Sequence, residues 1–142
     1  MSVSMSQAER EAFLAEVHVG VLTVSVGDGR GPLATPVWYS YQPGGQVSFT
    51  TGGDSRKAQA IAATGRYSLC AQNEAPPYKY VTVEGPAVIE PAEMADRVAI
   101  ARRYLGTEGG DAFIAANGDA DNVMIRMTPE HWQTADFGKA DG

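Results

Sequence analysis

Residues 48–61 of the 142-residue chain gather the side chains best suited to chemistry: the hydroxyls of Thr50, Thr51 and Ser55 and the cations of Arg56 and Lys57, with Gly52, Gly53 and Asp54 between them. Val47, Phe49 and the two threonines favour a strand, the glycines punctuate it, and Asp54 or Ser55 can cap a following helix. Cations in the first turn of a helix oppose the positive end of its dipole, which costs about 0.3–1 kcal/mol at an exposed site. An anion reverses that sign. A phosphate placed there meets free backbone N–H groups, hydroxyls and cations, and the glycines allow close approach. The stretch therefore points to a phosphate site. The plain alternative is a solvated pair of surface cations, which needs neither the hydroxyls nor the glycines.

Other chemistry is missing from the sequence. Two histidines, His18 and His131, and one cysteine, Cys70, cannot make a zinc tetrad. His18 reads as a dipole partner at a helix end, His131 as a residue beside Trp132 in a late turn, and Cys70 as a small core residue in an apolar stretch. Asp119, Asp121 and Glu130 mimic part of a calcium loop, but Met124 stands where that loop needs glycine. The glycines of residues 27–31 lack dinucleotide-fingerprint spacing and lead into a strand instead of a helix, and no Walker motif or nucleophile elbow occurs. No side chain is thereby identified as catalytic. An enzyme built on this chain needs a cofactor to supply the reactive atoms, with the protein binding and orienting it.

The elements that must position the stretch follow from pattern. Ser6 and Glu9 have capping-box spacing, so a helix is expected from there to about His18, with Phe13 and Val17 on its apolar face. Residues 19–26 and 33–41 read as a β-hairpin around the glycine turn. Pro36 within the second strand belongs at an edge or bulge, where a planar heterocycle could lie against Pro36, Val37 and Trp38; a barrel corner with Trp38 in the core is the alternative. Strands are expected at 46–51, 66–71 and 78–90, with a helix over 55–63 closed by Gly65. Tyr78, Lys79 and Tyr80 put two aromatics and a cation at a strand entrance, suited to stacking, to anion contact or simply to covering an edge. Pro91 suits the first position of a helix whose stripe of Met94, Val98, Ala101 and Leu105 reads as core, with further turns at 111–117 and final strands at 123–127 and 131–136.

Size and composition fit one domain over residues 1–142, with 1–5 and 137–142 expected to fray. Hydrophobic content of 44% argues against disorder, and no apolar run is long enough for a bilayer-spanning helix. The net charge of −6 disfavours nucleic acid as a partner. No basic and apolar secretory leader is visible at residues 1–6, and with a single cysteine the expected compartment is the cytoplasm.

Together, Pro-Val-Trp-Tyr at 36–39, Phe-Thr-Thr at 49–51, Ser-Arg-Lys-Ala at 55–58 and Tyr-Val-Thr-Val-Glu-Gly-Pro-Ala at 80–87 resemble the pyridoxamine 5′-phosphate oxidase-like split β-barrel proteins, over about residues 9–136. The resemblance implies a mainly β fold with flanking helices, a split antiparallel β-barrel of the FMN-binding type. It also implies a homodimer with flavin mononucleotide (FMN) or the 8-hydroxy-5-deazaflavin coenzyme (factor 420) in clefts at the subunit interface. In that frame Thr50, Thr51, Ser55, Arg56 and Lys57 form the phosphate cradle and Pro36, Val37 and Trp38 lie along the ring. Tyr78, Lys79 and Tyr80 reach the cofactor of the other subunit. The chain resembles the short actinobacterial-type reductases and lacks the extended tail of true pyridoxamine phosphate oxidases. The expected activity is deazaflavin-dependent hydride transfer to an unsaturated or quinone-like small molecule. An FMN-dependent oxidase or reductase, or a flavin- or haem-binding protein without turnover, are the alternatives.

Overall fold

Helix α1, Gln7–Ala15, begins with the expected capping box: Ser6 Oγ accepts the Glu9 N–H at 3.2 Å and Glu9 Oε1 accepts the Ser6 N–H at 2.8 Å. It stops at Ala15, short of His18, because Glu16 is already extended. The computed structural model describes residues 2–118 and 121–141; Met1, Asp119, Ala120 and Gly142 lie outside them. The chain continues through β1 (Gly20–Val24), β2 (Leu33–Val37), β3 (Val47–Gly52), α2 (Arg56–Thr64), β4 (Arg66–Gln72), β5 (Lys79–Pro91), α3 (Met94–Asn117), β6 (Asn122–Met127) and β7 (His131–Asp136) to a short 3-10 turn, Phe137–Asp141.

Every strand pair is antiparallel, and the sheet runs β2-β1-β4-β5-β6-β3, with β7 added to β5. β5 explains the curl. Its first half lies between β4 and β7, and its second half, from Ala87, leaves them for β6. The change of partner falls at Gly85, where a Cβ would sit 1.8 Å from the Thr128 carbonyl oxygen, and only glycine permits that approach. The ends of the sheet meet at one place, where Ser40 and Ser48 exchange backbone hydrogen bonds of 2.8 and 3.0 Å. Beyond that bridge β2 and β3 separate. The molecule is thus a split antiparallel barrel with flanking helices, as the sequence implied. Pro36 stands on β2, an edge strand of that sheet, where a missing N–H breaks no ladder.

One hydrophobic core joins the sheet to α1 and α2: Leu14, Leu22, Tyr39, Phe49, Ile61, Leu69, Val81, Val83 and Ile125 are all buried. Its two deepest phenols each find an acceptor, Tyr39 Oη donating to the Leu14 carbonyl and Tyr67 Oη to the Val47 carbonyl, both at 2.7 Å. Burial pushes both phenols well above the ordinary tyrosine range, so they act as neutral donors.

Several expectations are corrected. β2 ends at Val37 and not at Tyr41, because the chain leaves β1 there and holds only the Ser40 bridge. Pro91 is the last residue of β5, opposite Val123, and α3 starts at Met94 behind Glu93. The buried face of α3 is Arg97, Ile100 and Ala101 with half-buried Tyr104, whereas Met94 and Leu105 are exposed. Cys70 is half-buried on the face of β4 opposite Leu69 and Ala71. The ends expected to fray are tied together. The Asp136 N–H donates to the Val3 carbonyl, the Met5 N–H to Thr134 Oγ1, and Lys139 Nζ to both the Ser4 carbonyl and Glu9.

Candidate functional site

The separation of β2 and β3 leaves a cleft of about 300 Å³, lined from β2 and the residue after it by Pro36, Val37 and Trp38 and from β3 by Thr50 and Thr51. This is within the usual range for small-molecule sites, roughly 300–1,000 Å³. Lys57 enters from α2, Arg97 and Ile100 from the first leg of α3, Phe113 and Ile114 from its second leg, and Asn122 from β6. The cleft therefore has an apolar part, made by Pro36, Val37, Trp38, Ile100, Phe113 and Ile114. Its polar part holds the threonines, Asn122 and two cations, with no carboxylate among the described lining residues.

At the polar part Ser55 caps α2. Its Oγ accepts the Ala58 N–H at 3.2 Å and the Thr51 Oγ1 hydroxyl at 3.0 Å. Both lone pairs of the Ser55 hydroxyl are occupied, so its own O–H remains to be donated. The N–H groups of Arg56 and Lys57, in the first turn, have no intrahelical acceptor. Successive helical residues diverge by about 100°, so adjacent cations cannot share a direction. Lys57 lines the cleft, whereas Arg56 is exposed in a separate groove beside Ser25, Val26, Gly27 and Gln59.

Trp38 is held, not free. Its indole stacks on Tyr104, with ring centres 5.0 Å apart and planes within 7°, and tilts against Phe113 at 5.5 Å. Tyr104 Oη accepts the Tyr39 N–H at 3.1 Å and donates to the His18 carbonyl at 2.6 Å, fixing the backbone just beyond β2. Residues 36–38 do lie along the cleft, but one indole face is already covered.

The second leg of α3 is a sequence-invisible part of this wall. Gly106, at φ +76°, breaks the helix and turns residues 107–117 back on 94–105. Gly110 is the contact between the two legs, since a Cβ on it would come within 2.7 Å of Arg102 N. Arg102 pairs with Asp111 at 2.8 and 3.1 Å, and Arg97 donates to the carbonyls of Asn117 and Gly118 at 2.7 and 2.9 Å.

Of the residues singled out by sequence, the structure brings together Pro36, Val37, Trp38, Thr50, Thr51 and Lys57, with Ser55 bonded to Thr51. It does not bring Tyr78, Lys79 and Tyr80 to this cleft; Tyr78 just precedes β5 and Lys79 and Tyr80 open it, beside Asn73, Asp136 and Phe137. His18 stacks on Phe13 and His131 is exposed beside Glu130. Arg97, Ile100, Tyr104, Phe113, Ile114 and Asn122 were missed. The signal for Arg97 was its place at helical spacing with Ile100, Ala101 and Tyr104, a cation inside an otherwise apolar stripe.

The sequence matches no curated protein. Among solved structures, the fold is shared with the conserved hypothetical protein Rv2991 of Mycobacterium tuberculosis, at TM-score 0.79 and 23% identity over 99% of this chain and 91% of that one. It is shared too with an F420 reductase, at TM-score 0.70 and 23% identity over 87% and 94%. A FAD-binding protein of Mesorhizobium loti superposes at TM-score 0.64 and 20% identity over 92% of each chain. The family model described as pyridoxamine 5′-phosphate oxidase matches residues 6–136. With the split barrel and that match over nearly its whole length, the chain belongs to the pyridoxamine 5′-phosphate oxidase family.

Proposed function

We propose that the chain is an oxidoreductase that holds the 8-hydroxy-5-deazaflavin coenzyme (factor 420) in the β2–β3 cleft and reduces an unsaturated or quinone-like small molecule. The observation that carries this is the division of one cleft into an apolar part and a cationic, hydroxyl-lined part at a helix N-terminus. A ring system carrying a phosphate has that division of character. The likeness to an F420 reductase is support at the level of fold. FMN is the second reading, favoured by the net charge of −6, which opposes the polyanionic tail of the deazaflavin more than it opposes a single phosphate.

When bound, the coenzyme supplies a ring that accepts or gives up hydride. The chain's own residues bind and orient it. Lys57, the Ser55 hydroxyl and the first-turn N–H groups of α2 take the phosphate; Pro36 and Val37 bound the ring, and Trp38, Phe113 and Ile114 exclude water from that side. No side-chain base is assigned. We further propose that two copies associate, with Tyr78, Lys79 and Tyr80 of each serving the cleft of the other, because they lie outside the cleft of their own chain. No helix among the described residues is long and apolar enough to cross a membrane, and the cytoplasm is the proposed compartment.

Titration of cofactor-free protein with the oxidised deazaflavin and separately with FMN, following ligand fluorescence, tests the proposal. Tight binding of the deazaflavin is the expected result. A preference for FMN supports the second reading, and binding of neither removes both.

A further inference from the structure

Arg56 and Lys57 were the sequence's two candidates for an anion, yet only Lys57 lines the cleft. The second cation there is Arg97, from a helix some forty positions further along. It is only 8% exposed, and a guanidinium so deeply placed is costly unless its N–H groups find acceptors. One N–H on each terminal nitrogen is used, on the Asn117 and Gly118 carbonyls. A guanidinium has further donors in the same plane, and the cleft is the space that Arg97 and Lys57 share.

On the reading that the cleft takes a phosphorylated ring, we infer that Arg97 is a phosphate ligand in partnership with Lys57, and that it links phosphate binding to the wall carrying Phe113 and Ile114. Arg97 holds the end of the second leg of α3 from one side of its fork and meets the ligand with the other. At its opposite end that leg is held by the Gly110 contact and the Arg102–Asp111 pair, and between the two ends Phe113 leans on Trp38. A filled phosphate site therefore fixes Arg97, and Arg97 fixes the leg. Arg56, pointing into its own groove, has no part in this.

The test compares FMN with riboflavin, which has the same ring and ribityl chain but no phosphate. If the wild-type protein binds only the deazaflavin, that coenzyme and its phosphate-free ring-and-ribityl portion replace them. Arg97→Gln keeps a donor for the carbonyls and removes the charge; Arg97→Lys keeps the charge and loosens the helix end. The expected result is that Arg97→Gln loses about tenfold or more in affinity for the phosphorylated ligand with little change for its partner, the size of a lost charge-assisted hydrogen bond. Arg97→Lys keeps the ratio. In the wild type, amide exchange over residues 107–118 slows when FMN is bound, and in Arg97→Gln it does not. Equal losses for both ligands would make Arg97 a purely structural residue and overturn the inference, as would an unchanged ratio in Arg97→Gln. If the wild type binds FMN no better than riboflavin, the phosphate reading itself falls, and that outcome is visible before any variant is made.

Discussion

Two seams of this barrel can be set side by side. Between β4, β5 and β7 the ladders run without a gap, with Leu69, Ala71, Val81 and Val83 buried beneath them. Between β2 and β3 a single bridge at Ser40 and Ser48 holds the strands, and past it they part to make the cleft. The closed seam is where the core is made, and the open seam is where backbone edges, hydroxyls and cations remain available. A closed ladder satisfies its own polar groups; an interrupted one leaves them for a ligand.

Substitutions at the closed seam should damage the fold, and those at the open seam should spare it. The largest effect belongs to Gly85→Ala, whose new Cβ would collide with the Thr128 backbone where β5 changes partners. A loss of about 3 kcal/mol or more is expected by denaturant titration; an unchanged midpoint would show that the bend is slack. Tyr67→Phe removes the hydroxyl that donates to the buried Val47 carbonyl and should cost about 0.5–1.5 kcal/mol. Tyr67 leans edge-on against Phe49 in the same core, so the ring itself is retained.

At the open seam, Lys57→Ala should weaken binding of the phosphorylated cofactor about tenfold to a hundredfold while the melting temperature stays within a few degrees. Arg56→Ala should change the affinity by less than about threefold, since its side chain occupies another groove. Equal effects of the two would mean that α2 turns on binding.

The smallest effect is at the joined termini. The Lys139 ammonium, with the Ser6 contacts, holds the Glu9 carboxyl down from 4.5 to about 2. A depressed carboxyl stabilises the fold above its ordinary value, and that contribution is lost as pH falls from about 4.5 through about 2. In Glu9→Gln the melting temperature should therefore fall less steeply over that window than in the wild type, and identical slopes would remove the role of the latch.

Local grammar carried the sequence reading. The Ser6 capping box, the Ser55 cap, the left-handed Gly65 that closes α2 and the edge position of Pro36 are each decided by residues within a few positions. Direction and distance were harder. Adjacent charges at 56 and 57 diverge once helical, which a linear motif does not display. Pro91 fits a helix start by its own ring and a strand end by the pairing of β5 with β6, and the pairing wins. Arg97 reaches the cleft because the first leg of α3 lies over Trp38 through Tyr104, and Phe113 because Gly106 folds the second leg back. That placement belongs to topology, and no spacing within the chain announces it.

The most direct measurement is a crystal structure of the protein with the better-binding of FMN and the deazaflavin coenzyme. The ring should lie between residues 36–38 and the second leg of α3, with the phosphate at Ser55, Lys57 and Arg97. A coenzyme seated instead in the groove beside Arg56, or in the separate cleft between α1 and Trp132, would contradict the assignment of the open seam as the binding site.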